Sequence, residues 1–139
     1  MAIRESTGLR NARLAALFEG GFIGIYSGGQ PASADHAETS SLLATISSAS
    51  GTGGITFGTV GSGVLPKSAG VWSGLVGTAG ICGWGRMYDI NHTTGSNGTA
   101  VRMDFSIGVS GSDMVMSNTS LEVGATLTID QAQFTEPAS

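Results

Sequence analysis

Apolar side chains alternate with small or polar ones over two long stretches of the chain. Val101, Met103, Phe105, Ile107 and Val109 form the first; Leu121, Val123, Ala125, Leu127 and Ile129 form the second. Successive side chains of a strand point to opposite faces. Each run therefore predicts a strand with one apolar face. Arg102, Asp104 and Ser106, or Glu122, Thr126 and Thr128, fall on the other. Met103, Phe105, Ile107, Leu121, Val123, Leu127 and Ile129 are expected in the core, with Phe22 and Ile25 from an earlier strand. Two half-apolar strands of this length need a second layer to cover them.

Shorter segments supply that layer. Phe22–Tyr26, Leu42–Ile46 and Trp84–Ile90 read as strands, and Ile55–Phe57, Val64–Leu65, Val71–Val76, Ile81–Cys82 and Met114–Met116 as shorter strand-like pieces. In Trp84–Ile90 the alternation places Trp84, Arg86, Tyr88 and Ile90 on one face. Gly-, Ser-, Asn- and Pro-rich segments separate these runs, as turns do. Near Asp130 and Gln131 the parity changes, and a bulge there would return Phe134 to the core face. Leu14, Leu17 and Phe18 have helical spacing, so Leu9–Phe18 predicts a short helix capped by Ser6 or Thr7 and stopped by Gly20–Gly21. The expected fold is all-β: an antiparallel, jelly-roll-like β-sandwich of about eight strands with one short N-terminal helix. It forms a single domain over residues 1–139, with 1–20 as arm and helix and 135–139 as a loose tail.

Composition narrows the class. Charged residues are 12% of the chain, against roughly 25% in ordinary soluble domains. A surface so poor in charge suits extended contact with other protein, and equally a Ser/Thr-rich soluble sandwich. The net charge of −4 argues against binding a phosphate backbone, which needs clustered Lys and Arg. Three of the six basic residues, Arg4, Arg10 and Arg13, crowd the N-terminal end. They are either solvated helix arginines or a positive arm that steers docking onto an acidic partner. Cys82 is the sole cysteine, so no intrachain disulfide forms. No secretory signal pattern or membrane-length apolar run is visible, and neither a membrane nor a nucleic-acid partner is expected.

Catalytic and metal-binding sets are not expected, nor is a cofactor. His36 and His92 lie in separate polar loops, and Asp35–His36 with Glu38 is the nearest approach to a ligand set. Ser62, Ser110 and Ser112 sit in Gly/Ser-rich sequence rather than in a nucleophile elbow. Asp89, Asp104, Asp113 and Asp130 are scattered and expected on exposed faces or in turns. Trp72, Trp84 and Tyr88 admit two readings, a sugar-binding platform or core packing.

Several segments carry a family resemblance. Leu9-Arg10-Asn11-Ala12-Arg13 is followed by Ile25-Tyr26-Ser27-Gly28-Gly29-Gln30-Pro31-Ala32 and Leu42-Leu43-Ala44-Thr45-Ile46. Trp84-Gly85-Arg86-Met87-Tyr88-Asp89, Val109-Ser110-Gly111-Ser112-Asp113 and Leu121–Ile129 follow in the second half. Together they resemble the jelly-roll cement (decoration) proteins of tailed-bacteriophage heads, of the kind carried by a Bordetella phage. The resemblance is weakest between Ala49 and Gly80. It implies a non-enzymatic virion protein on the outer capsid surface, assembled in the host cytoplasm. Such a protein clamps neighbouring subunits of the major capsid protein and associates with itself as a homodimer or homotrimer at a symmetry axis. Arg4, Arg10 and Arg13 would then contact the capsid. A tail or head–tail structural protein, or a carbohydrate-binding module on the virion surface, are the alternatives.

Overall fold

The computed structural model describes Ser6, Gly8, Leu9 and Ala12, then residues 20–48, 54, 55, 57, 58, 64–66, 72–116, 118–129 and 131–135. Among the described residues ten strands follow one another: β1 Phe22–Ser27, β2 Leu42–Ser48, β3 Val64–Pro66, β4 Trp72–Leu75, β5 Gly80–Tyr88, β6 Arg102–Gly108, β7 Met114–Val115, β8 Ser120–Leu121, β9 Thr126–Thr128 and β10 Gln131–Thr135. They form one hydrogen-bonded path in the order β3-β10-β7-β6-β5-β1-β2-β4-β9, with β8 paired to β5 off that path. The protein is thus mostly β, but as a single curled, mixed sheet, a half-barrel. The expected purely antiparallel pairing fails at β6 and β7, which run parallel over two residue pairs. Between them the Asp113 carboxylate accepts from the Ser106 N–H and Oγ, folding residues 109–113 back on β6.

Chain connectivity forces the curl. Strands β9 and β10 lie seven strand spacings apart in the sheet order, yet only Ile129 and Asp130 separate them in sequence. Laid flat, those spacings would span roughly 34 Å, whereas the three chain steps from Thr128 to Gln131 reach at most about 11 Å. The expected bulge near Asp130 is replaced by this crossing. Asp130 lies outside the described residues, and the strands on either side of it belong to opposite ends of the sheet.

The inner face of the curl is the core. Ile23, Ile25, Met87, Phe105 and Ile107 come from the alternating positions of β1, β5 and β6, and Trp72, Leu121, Leu127 and Ile129 join them from the ends of the sheet. Met103 packs partly buried against this cluster, and Phe22 is half-buried on the opposite parity. Val123 corrects the expectation: it is 66% exposed. The second alternating run is not one strand, because Gly124 at φ +89° turns the chain and the Ala125 N–H bonds Glu122 O. Val109 and Ile90 are likewise exposed, because β6 and β5 end at Gly108 and Tyr88. At the N-terminus Ser6 Oγ accepts the Leu9 N–H at 3.1 Å, the contact an N-cap makes. The rest of the expected helix, apart from Leu9 and Ala12, lies outside the described residues, as do Arg4, Arg10 and Arg13.

Glycine lets the inner face close. A Cβ on Gly85 would stand 2.5 Å from Phe105 Cζ and 3.2 Å from Ile107 Cδ1. At exposed Gly77 a Cβ would meet nothing within 4 Å. Gly85→Ala should therefore cost about 1–3 kcal/mol by overpacking. Gly77→Ala should instead be neutral or stabilise by about 0.4–1 kcal/mol through the unfolded chain. Urea unfolding followed by tryptophan fluorescence checks the pair; equal effects would contradict the packing described.

Candidate functional site

The opposite face of β1, β5 and β6 carries the polar chemistry. Pairing sets Tyr26 beside Trp84, Gly24 beside Arg86, Phe22 beside Tyr88, Asp104 beside Arg86 and Arg102 beside Tyr88. Alternation predicted that Trp84, Arg86 and Tyr88 share a face, but this face is not solvated. The β1–β2 loop, residues 28–41, and the β5–β6 loop, residues 89–101, lie over it, and Arg86 and Tyr88 are completely buried.

Arg86 is the centre. Its Nε and Nη2 bond Asp104 Oδ1 and Oδ2 at 2.5 and 3.0 Å, a two-pronged pairing between residues directly opposite on adjacent strands. Its Nη1 bonds His36 O at 2.8 Å and Glu38 Oε2 at 3.2 Å. The guanidinium lies 5.3 Å from the Trp84 ring centroid, and Trp84 stacks on Tyr26 at 4.6 Å. All three guanidinium nitrogens thus donate, and the Asp104 side chain is itself 5% exposed. Burial disfavours the charge on Arg86, yet Asp104 first, with Glu38 and Tyr88, together raise its pKa.

Glu38 links the two loops to the sheet. Its Oε2 accepts from the Tyr88 hydroxyl at 2.6 Å and its Oε1 accepts the Gly95 N–H at 2.9 Å. The Tyr26 and Tyr88 hydroxyls lie 2.5 Å apart. Arg102 completes the fastening by donating to the backbone carbonyls of Ala34, Asp35, His36, Thr93 and Asn97, at 2.6 to 3.4 Å. The Asn97 N–H returns to Asp35 O at 2.8 Å, so the loops also bond each other. Two arginines and two carboxylates balance in charge within this cluster.

The electrostatics follow from these contacts. Burial alone would raise the Glu38 carboxyl, but the Tyr88 hydroxyl, the Gly95 N–H and Arg86 together hold it below its ordinary value. Burial, then the bonds to Glu38 and Tyr26, push the Tyr88 hydroxyl far up. Tyr26 is raised, first by burial. A carboxylate held as an anion by its donors, and hydroxyls held neutral, are poor general bases or nucleophiles. The arrangement ties the two loops to the strand face.

Other residues singled out by sequence have separate surroundings. His36 contributes its backbone carbonyl, while the His92 ring packs on Phe22 and Tyr88 at centroid distances of 5.3 and 4.6 Å. Trp72 is far from Trp84 in the sheet order and meets Phe57 edge-on at 5.2 Å. Both tryptophans are fully buried, so they form no surface platform. Asp104 is not an exposed-face residue, because the loops cover it, and Glu38, the nearest approach to a ligand set, instead pairs with Arg86 and Tyr88. Asp89 and Asp113 do sit in loops, bonding Asn91 and Ser106. Ser110 and Ser112 sit in the β6–β7 connection; Ser62 and Asp130 lie outside the described residues. Cys82 is buried, which pushes its thiol up to about 11. Among the described residues, no three His, Cys, Asp or Glu side chains gather closely enough to hold a metal ion. The role of Glu38, Arg86, Tyr26 and Tyr88 was missed. A signal was present: Arg86, Arg102 and Asp104 are charges inside strands of a chain that is only 12% charged. Comparison with protein-family models, with curated proteins and with solved structures finds no match.

Removing Asp104 would leave Nε and Nη2 of a buried guanidinium without their acceptors and only Glu38 to balance its charge. Asp104→Ala should cost about 3–5 kcal/mol. The double variant Asp104→Ala with Arg86→Met should cost clearly less than the sum of the two single changes, read as a double-mutant cycle in urea. Additive losses would show that the pair is not coupled.

Acid should weaken the clamp in two stages. Burial lowers the pKa of His92 from its ordinary 6.5. Folding therefore favours the neutral ring, and that stabilisation is full above pH 6.5 and lost as pH falls through the lowered value. Glu38 is depressed from its ordinary 4.5, so its contribution is present above that pH and lost on further acidification. Unfolding midpoints against pH should lose the upper stage in His92→Asn and the lower stage in Glu38→Gln. An unchanged profile in both variants would refute the assignment.

Proposed function

We propose that this chain is a structural virion protein: a capsid cement (decoration) protein that binds the outer surface of a phage head and clamps neighbouring major capsid protein subunits. The observation that carries the reading beyond the resemblance is the use made of the charged residues. The buried cluster around Arg86 ties residues 28–41 and 89–101 to the sheet, and their Ser-, Thr- and Asn-rich outer sides would form the contact surface. Rigid contact surfaces lose less entropy on docking. Repetition over a symmetric shell multiplies modest contacts into avidity.

In this reading the curled sheet is the body of a jelly-roll-like domain. Arg4, Arg10 and Arg13 of the N-terminal segment meet acidic capsid surface in this reading. The protein works as a homodimer or homotrimer at a symmetry axis, without catalysis or cofactor. A tail or head–tail structural role is the second reading. It differs in copy number: hundreds per particle for cement, six, twelve or a few dozen for tail or connector. The carbohydrate-binding reading loses its proposed platform, since Trp72 and Trp84 are buried.

Heads assembled without the protein should open at lower temperature and lower salt stress than decorated heads, and adding the purified protein back should restore resistance. Arg10→Glu with Arg13→Glu should weaken head binding while leaving the circular dichroism spectrum unchanged. Undecorated heads as resistant as decorated ones would sink the proposal.

A further inference from the structure

Strands β8 and β9 follow one another, joined by residues 122–125, a turn closed by the Ala125 N–H on Glu122 O at 3.2 Å. Strands joined so tightly usually pair as a hairpin. These two do not. β8 pairs with β5, and β9 pairs with β4 at the end of the strand path. Between them lies a cavity of about 500 Å³, bordered by Ser120 and Glu122 on one side and by Thr126 and Thr128 on the other. Buried Met116, Leu121 and Leu127 give it an apolar floor.

The strand edges on both sides turn backbone groups toward this seam. The Ile129 N–H bonds Trp72 O at 3.0 Å, and the Val76 N–H bonds Ala125 O at 2.9 Å. Residues 125, 127 and 129 therefore direct their backbone groups at β4. Alternation along a strand directs those of Thr126 and Thr128 the other way. On the facing side the Cys82 N–H bonds Thr119 O at 2.8 Å, so 119 and 121 face β5 and Ser120 faces the seam. The Ser120 N–H is taken by Asn118 Oδ1 at 3.0 Å. No described residue bonds the Ser120 carbonyl, or the N–H and C=O groups of Thr126 and Thr128.

This pattern selects the occupant. Two N–H and two C=O groups, borne two residues apart on one edge, match the edge of an extended polypeptide. A strand lying between β8 and β9 must be free on both of its own edges. Every described strand of this fold already has a neighbour, so a second folded copy offers none of them. Within the chain, residues 49–53 and 59–63 are glycine-rich, 136–139 hold Pro137, and Leu9–Phe18 has helical spacing; none has the pattern of a strand. An arm or tail of another protein is left. Its inward side chains meet the apolar floor and alternate with outward ones. β9 runs away from the 122–125 turn, so an antiparallel guest runs toward it. The ion pairs among the described residues belong to Arg86 and Arg102, which leaves Glu122 beside that turn to receive a Lys or Arg at the guest's C-terminal end.

We propose that the seam between β8 and β9 is a strand-acceptor site. An extended arm of another protein, apolar at alternate positions and basic at the end beside Glu122, pairs antiparallel with β9. The site stands on backbone geometry and does not rest on the capsid reading, so either can fail while the other holds.

The probe is the end-blocked peptide Thr-Val-Thr-Val-Thr-Lys, titrated into the isotope-labelled full chain and followed by amide nuclear magnetic resonance. The expected result is saturable binding that moves the Thr126 and Thr128 amide protons downfield, as donors gaining an acceptor. Thr128→Pro deletes an N–H that β4 does not use, so the sheet is kept while affinity should fall at least about tenfold. Glu122→Gln should weaken this peptide about two- to fivefold and leave a peptide with Gln in place of Lys unaffected. Near-ultraviolet circular dichroism of Trp72 and Trp84 reports whether each variant is folded. If Thr128→Pro is not, the same peptide N-methylated at alternate residues takes its place, and it should not bind. The absence of saturable shifts at millimolar peptide overturns the proposal, including the case in which a segment of the chain itself fills the seam. So do shifts centred elsewhere, or an affinity that N-methylation or a folded Thr128→Pro leaves intact.

Discussion

Burying the Arg86 guanidinium against Asp104 imposes a demand on everything around it. An ion pair removed from water is stable only if its remaining donors and lone pairs are also met. The sheet alone meets two of the three donating nitrogens, through Asp104 on the adjacent strand. The third needs His36 O and Glu38, both from a loop that must fold back over the strands. Glu38 in turn needs Tyr88 and the Gly95 N–H, which brings in the second loop. The positions of both long connections thus follow from completing one charged pair.

That arrangement gives the sheet two different sides. The inner side is held by aliphatic and aromatic burial, which is non-directional and tolerates the varied strand lengths seen there. The outer side is held by directional bonds between charged, hydroxyl and backbone groups. Gly24 shows how closely that side is packed: it lies opposite Arg86, and a Cβ there would stand 2.7 Å from the Tyr26 ring. The short covalent link between β9 and β10 then curls the sheet so that its apolar side encloses the core.

The surface divides accordingly. Charge is concentrated around the loops, where most of the strand-borne charge is neutralised internally, and the β2–β4 flank is left nearly uncharged.

The alternation of apolar and small residues by itself determined the β class, the strands near Phe22, Leu42, Trp84 and Val101, and core membership for Ile25, Phe105, Ile107, Leu121, Leu127 and Ile129. Such periodicity is local, so it is legible without knowing the fold. It failed at Val123, where Gly124 turned the chain inside an unbroken alternating pattern, and at Asp130, where a change of parity marked a crossing between sheet ends. Pairing partners that far apart depend on closure of the whole sheet, which no local pattern encodes. The clamp was invisible for the same reason. Glu38 and Arg86 are 48 residues apart, and Arg102 reaches carbonyls 66 to 68 residues away. Their charges stood in the sequence from the start; only the tertiary structure, by laying two loops across a strand face, turned solvent-facing positions into a buried network.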